Sequence, residues 1–143
     1  MLISGQWVLG DDGIVRPVVK AAVLAADGSW APTEFLVDVG ADRTVFMASF
    51  LTKLALPHVP ALQQLGGVGG AAATITVGTQ IRFPVDGGSS IVFQGMFAGF
   101  TQPDALDMNI LGRDIMNLFA VIVDRPGNAV CMIAKPHRYR IET

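Results

Sequence analysis

The chain has 143 residues, 51% hydrophobic and 15% charged, with 16 Gly and 8 Pro, which fits one ordinary domain and excludes a disordered tail, a collagen repeat and a coiled coil. A net charge of −2, with ten basic residues scattered except at Lys135 to Arg140, leaves no electrostatic footprint for nucleic acid. Surplus apolar surface in so small a chain points to a subunit interface.

Arg16 to Leu24, rich in Val, Ala and Leu, predicts a strand that stops at the turn Ala26-Asp27-Gly28-Ser29. Thr33 to Val37 resumes as its hairpin partner. Phe46, Phe50, Leu51 and Leu54 then recur at helical spacing, and Pro57 closes that short helix. Pro57, Pro60 and Leu65-Gly66-Gly67-Val68-Gly69-Gly70 read as an irregular, glycine-dense stretch. Strands return at Thr74 to Val77, Ile81 to Val85 and Ile91 to Phe97, the last two parted by the Asp86-Gly87-Gly88 turn. Gly112 to Phe119 predicts a second short helix with Ile115 and Phe119 on one face. Ala120 to Val123 and Ala129 to Ile133 flank Arg125-Pro126-Gly127-Asn128, where central Pro-Gly predicts a type II turn. Residues 1–143 therefore read as one mostly-β domain without a linker.

Three segments carry chemistry. In Phe35-Leu36-Val37-Asp38-Val39-Gly40-Ala41-Asp42-Arg43-Thr44-Val45 an apolar strand runs directly into an acid, a costly position unless the carboxylate is bonded or functional. The competing reading is an acid that caps the turn after its strand. Asp107-Met108-Asn109-Ile110-Leu111-Gly112-Arg113-Asp114 takes a second apolar strand into a Gly-Arg pair that opens a helix, and Leu65 to Gly70 supplies the glycine-rich segment between them.

In this order and at these distances the three segments resemble the retroviral-type aspartic proteases, the retropepsins, over roughly Arg16 to Ile133. The resemblance implies an all-β, closed acid-protease barrel with one or two short helices. It also implies a homodimer, because the chain holds one strand-to-Asp-x-Gly element, so each copy would contribute one Asp38 to a dyad around a shared water. Two carboxylates a few Å apart cannot both ionise, so the dyad shares a proton and activates water without metal, cofactor or covalent intermediate.

By the same resemblance Gly40, Ala41 and Asp42 face the substrate backbone, Gly40 because a side chain would block close approach. Asp42 pairs with Arg113 in a bidentate buried bridge that holds the catalytic loop. Gly66 and Val68 lie at a flap tip whose backbone reaches substrate, while Leu65, Val68 and Ile110 line apolar pockets. One departure stands out: the family has Thr or Ser after its acid, and this chain has Val39. That hydroxyl bonds across the two-fold axis, and valine removes it. A retropepsin-fold module that dimerises or binds peptides without cutting them is therefore the second reading. A monomeric small-ligand β-barrel is the third.

Weaker signals point elsewhere. Gly67 to Ala72 fits Gly-x-Gly-x-x-Ala, but prolines precede it instead of a strand, so a nucleotide site is not expected. His58 and His137 lack ligand partners at metal spacing. Cys131, the one cysteine, reads as a small buried hydrophobe in a strand. Phe93, Phe97 and Phe100 read as core or pocket wall. With neither a basic-apolar leader nor a long apolar run, the expectation is a soluble, cytoplasmic protein acting on peptide or protein substrates, with no membrane contact.

Overall fold

A computed structural model describes residues 1–60, 65–67, 70–72, 74–134 and 142. The elements in chain order are β1 (Leu2–Leu9), β2 (Val15–Leu24), β3 (Trp30–Val37), β4 (Val45–Phe46), α1 (Ala48–Leu54), β5 (His58–Pro60), β6 (Leu65–Gly67) and β7 (Gly70–Ala72). They continue with β8 (Thr74–Pro84), β9 (Ser90–Phe100), β10 (Asn109–Leu111), α2 (Arg113–Met116), β11 (Phe119–Asp124) and β12 (Ala129–Ala134). The basic cluster at 135–140 with His137, and Val68 at the centre of the glycine-rich segment, lie outside the described residues.

Pairing β2–β3–β10–β4–β9–β8 and back to β2 closes a six-stranded barrel, so the expected all-β class with two short helices is the observed one. Two of its pairings are parallel, β3 with β10 and β4 with β9. Outside the barrel wall, β2 is followed by β1, then β12, then β11. β1 divides its partners: Leu2 to Ser4 pair with β12, and Gly5 to Leu9 with β2. Leu2–Leu9 has no clear strand pattern of its own, because Ser4, Gly5 and Gln6 interrupt the apolar residues. β1 is a strand through its two neighbours and not through its own pattern.

The core is aromatic. Seven of the eight phenylalanines form one connected set: Phe50, Phe46, Phe35, Phe83, Phe93 and Phe119 follow one another at ring-centroid distances of 5.9–6.2 Å, and Phe97 joins Phe46. Tilted and edge-on rings at this spacing suit the aromatic quadrupole, and Phe35, Phe46 and Phe83 are fully buried. Helix α1 packs Phe50 and Leu54 into this core, and Ala55 in the left-handed region ends it.

Four local expectations need correction. Thr74 to Val77 and Ile81 to Val85 join into the single strand β8, since Gly78 stays extended under Met96. The stretch after Pro57 is not irregular where it is described: β5 pairs with β8, and β6 pairs with β7, Gly67 opposite Gly70. No helix opens after those glycines, which removes the nucleotide reading. The second helix is only Arg113–Met116. Phe119 belongs to β11, where the β-branched run that follows favours a strand and its ring meets Phe93. At the last hairpin the positive φ falls on Asn128 (53°) and not on Gly127, so the turn is not type II. Asn128 N–H donates to the Arg125 carbonyl (3.1 Å), as in a type I turn followed by a left-handed residue.

At the β1–β2 hairpin, Arg16 forms a two-point bridge to Asp12, Nη1 to Oδ1 at 2.9 Å and Nη2 to Oδ2 at 2.5 Å. The guanidinium, helped by the Ile14 N–H, lowers the Asp12 pKa from 3.8 to about 2. An acid with a lowered folded-state pKa adds stability above its ordinary value, and that share is lost as pH falls toward about 2. In a side-chain NMR titration Asp12 should have its midpoint near 2 and return toward 3.8 in Arg16→Met. An unchanged midpoint in the variant contradicts this assignment.

Candidate active site

The parallel pairing of β3 and β10 builds the site. Phe35, Leu36 and Val37 lie opposite Asn109, Ile110 and Leu111, so both strands end at one level. Asp38 and Gly112, 74 positions apart in the chain, therefore emerge side by side. Along these strands Phe35, Val37, Asn109 and Leu111 are buried, while Leu36 and Ile110 alternate with them and stay partly exposed. Asp38, two residues past Leu36, continues that second row.

Asp38 is partly buried. Its own N–H donates to the Leu111 carbonyl (3.3 Å), and its Oδ1 accepts from the Gly40 N–H (3.0 Å). Its carbonyl accepts from the Ala41 N–H (3.1 Å), which closes a tight turn. The turn-capping reading of this acid is thus true of one oxygen only. The structure gives Oδ2 no hydrogen bond among the described residues. A Cβ on Gly40 would stand 3.2 Å from Oδ1, close enough to crowd the carboxylate.

The loop then runs along the start of α2. Ala41 accepts on its carbonyl from the Arg113 N–H (2.9 Å), and Asp42 from the Asp114 N–H (3.2 Å). Arg113 Nη2 contacts Asp42 Oδ1, and Nη1 donates to the Val39 carbonyl (3.4 Å). The bidentate buried bridge expected here is corrected on both counts. Arg113 spends its second nitrogen on the Val39 carbonyl, and the Arg113 and Asp42 side chains are 46% and 76% exposed in the single chain. Such an exposed ion pair contributes little on its own.

Three residues without an expected role, Asp114, Thr44 and Asn109, are central. The Asp114 carboxylate accepts from the Thr44 N–H (2.9 and 3.0 Å), the Thr44 hydroxyl (2.7 Å) and the Ile115 N–H (3.0 Å). Thr44, fully buried, accepts in turn on Oγ1 from the Gly112 N–H (3.1 Å). Asn109, also buried, ties β10 to its neighbours: Oδ1 accepts from the Met47 N–H (2.8 Å) and Nδ2 donates to Thr33 Oγ1 (2.9 Å). Asn109, a polar residue inside an apolar strand and so in need of a partner, is the one of these with a signal in the sequence.

The other expected positions divide. Ile110 packs against the small cluster Val45, Ala98 and Phe100. Leu65 and Gly66 lie in β6, in a hairpin separate from the large sheet. Val39 is 60% exposed beside Asp38, an apolar side chain with no cover in the single chain. Cys131 is only partly buried in β12, and burial followed by the Asp86 charge raises its thiol pKa. No cluster of three or more potential metal ligands occurs among the described residues, and none of their helices is long and apolar enough to cross a membrane.

Comparison with known proteins places this geometry. The family description "retroviral aspartyl protease" matches residues 14–123, from the approach to β2 through nearly all of β11. β1 and β12 lie outside that span. The chain is similar to the EIAV protease solved with the inhibitor HBY-793, at 25% identity and a TM-score of 0.53, over 71% of this chain and 86% of that one. It shares its fold with a retropepsin-like aspartic protease from Rickettsia conorii, at 20% identity and a TM-score of 0.51, over 92% of this chain and 88% of that one. No curated protein matches it.

Proposed function

Because the chain belongs to the retroviral aspartyl protease family, we propose that it is a single-domain aspartic endopeptidase whose working form is a homodimer with one Asp38 from each copy. The observation that carries this reading is the placement of Asp38: one oxygen bonded to Gly40, the other unbonded among the described residues, on a loop fastened to the start of α2. Val39, exposed at 60% next to it, is the apolar surface that a second copy would cover.

In the dimer the ionised Asp38 takes a proton from water as the water oxygen bonds to the scissile carbonyl carbon. The protonated Asp38 holds the carbonyl oxygen, and its proton goes to the amide nitrogen as the C–N bond breaks. Gly40, Ala41 and Asp42 line the extended peptide, Leu36 and Ile110 offer apolar contact, and β6 and β7 serve as the flap that carries Leu65 and Gly66. A dyad that works with one proton has an acidic optimum, about pH 4–6. A peptide-library digest across pH 3–8 tests this. Cleavage that peaks in the acid range is the expected result, and a flat or alkaline profile contradicts the mechanism.

One observation favours a second reading, a dimerising peptide-binding module without turnover: Val39 has no hydroxyl to bond across a two-fold axis. The two readings separate in the digest itself. A module binds library peptides and releases them intact, and Val39→Thr then restores hydrolysis.

A further inference from the structure

We propose that Thr44 and Asp114 are the positioning residues of the Asp38 loop, which they hold in working geometry inside a single protomer. The loop therefore needs no hydroxyl at position 39 and no second copy to become ordered. The inference deepens the proteolytic reading and rests on it for its kinetic test alone.

The bonding pattern carries the argument. Strand ends and loops are ordered by the hydrogen bonds that their backbone groups find, and a loop without partners stays mobile. Here segment 38–44 is fastened to segment 111–115 of the same chain at successive points. Asp38 N–H reaches the Leu111 carbonyl, Arg113 N–H the Ala41 carbonyl, Asp114 N–H the Asp42 carbonyl, and Gly112 N–H the Thr44 hydroxyl. The Thr44–Asp114 pair closes this series at its far end. Its hydroxyl is saturated, donating to Asp114 Oδ1 at 2.7 Å and accepting from Gly112 at 3.1 Å, with Thr44 itself fully buried and Asp114 at the surface edge of the pair. The Thr44 carbonyl accepts from the Ala98 N–H (3.2 Å), which anchors the pair to β9 in the barrel wall.

Val39 can supply none of this. Its side chain holds no donor, it points to solvent at 60% exposure, and only its carbonyl is held, by Arg113 at 3.4 Å. In this chain the hydroxyl tie to the loop comes from the sixth residue after the acid, and it lies within one protomer. Valine at 44 would keep the volume of threonine, leave the buried Gly112 N–H without its acceptor, and take from Asp114 Oδ1 its hydroxyl donor while the Thr44 and Ile115 N–H groups remain. Serine would keep both bonds.

Amide hydrogen exchange by NMR on the full chain tests the lock, read at Ala41, Arg113 and Asp114. The wild type should show equal protection at a dilution where it is monomeric and at a concentration where it is dimeric. Thr44→Val should speed these amides by about tenfold or more, Thr44→Ser should restore them to within about threefold, and Val39→Thr should leave them as they are. In peptide cleavage Thr44→Val should lower kcat about thirtyfold with KM within about threefold, and Thr44→Ser should recover it. Protection seen only in the dimer, or full protection in Thr44→Val, overturns the proposal. If Thr44→Val does not fold, Asp114→Asn, which keeps one acceptor oxygen, should give a smaller loss of the same kind, and the wild-type dilution decides without any variant. A wild type that cleaves nothing removes the proteolytic reading while the exchange results still judge the lock.

Discussion

Asp38→Asn should lower kcat/KM for peptide cleavage by at least about a thousandfold, because both members of the proposed symmetric dyad would lose their acid–base group at once. The amide is nearly isosteric with the carboxylate, and its oxygen can still accept from the Gly40 N–H, so the loop keeps its turn. Thermal unfolding and dimer mass should therefore match the wild type while hydrolysis disappears. Residual cleavage within tenfold of wild type would place the reaction on other residues.

Gly112→Ala should be the most damaging small substitution for stability. A Cβ there would lie 2.2 and 2.3 Å from the Arg43 carbonyl carbon and oxygen and 2.7 Å from the Thr44 nitrogen. These are backbone atoms of the loop that carries Asp38, and no side-chain rotation can make room. Gly112 has a φ of −100°, which any residue adopts, so the demand for glycine comes from close approach and not from the torsion. Relief requires β10 and the loop to separate, which also breaks the Gly112 N–H to Thr44 bond. We expect a loss of about 4 kcal/mol, at the upper end for one added methyl, because overpacking and a buried unpaired donor act together. A denaturant midpoint shifted by less than the equivalent of about 1 kcal/mol would show that the contact is not tight.

Much of the architecture was legible because local pattern and tertiary role agree. The β2–β3 hairpin, helix α1 and the β11–β12 hairpin follow from apolar runs, Phe46-Phe50-Leu54 spacing and turn residues. The parallel alignment of β3 with β10 was not legible from periodicity, since nothing local sets the register of strands more than seventy residues apart. Only the ordered resemblance of Asp38-Val39-Gly40 and Gly112-Arg113-Asp114 hinted at it. For the same reason Asp114 carried no expected role, although its carboxylate grips Thr44 from 70 positions away. β1 escaped notice because half of it belongs to β2 and half to β12. The Arg113–Asp42 pair was anticipated as buried, yet it joins a loop to a helix start at the surface, where its side chains are 46% and 76% exposed.

Whether two identical chains meet at this loop is the question on which the enzyme reading turns, and a crystal structure of the protein at acidic pH answers it most directly. We expect a two-fold axis beside Val39, with the two Asp38 carboxylates a few Å apart around one water molecule. An assembly in every crystal form that leaves each Asp38 alone against bulk solvent would contradict the account.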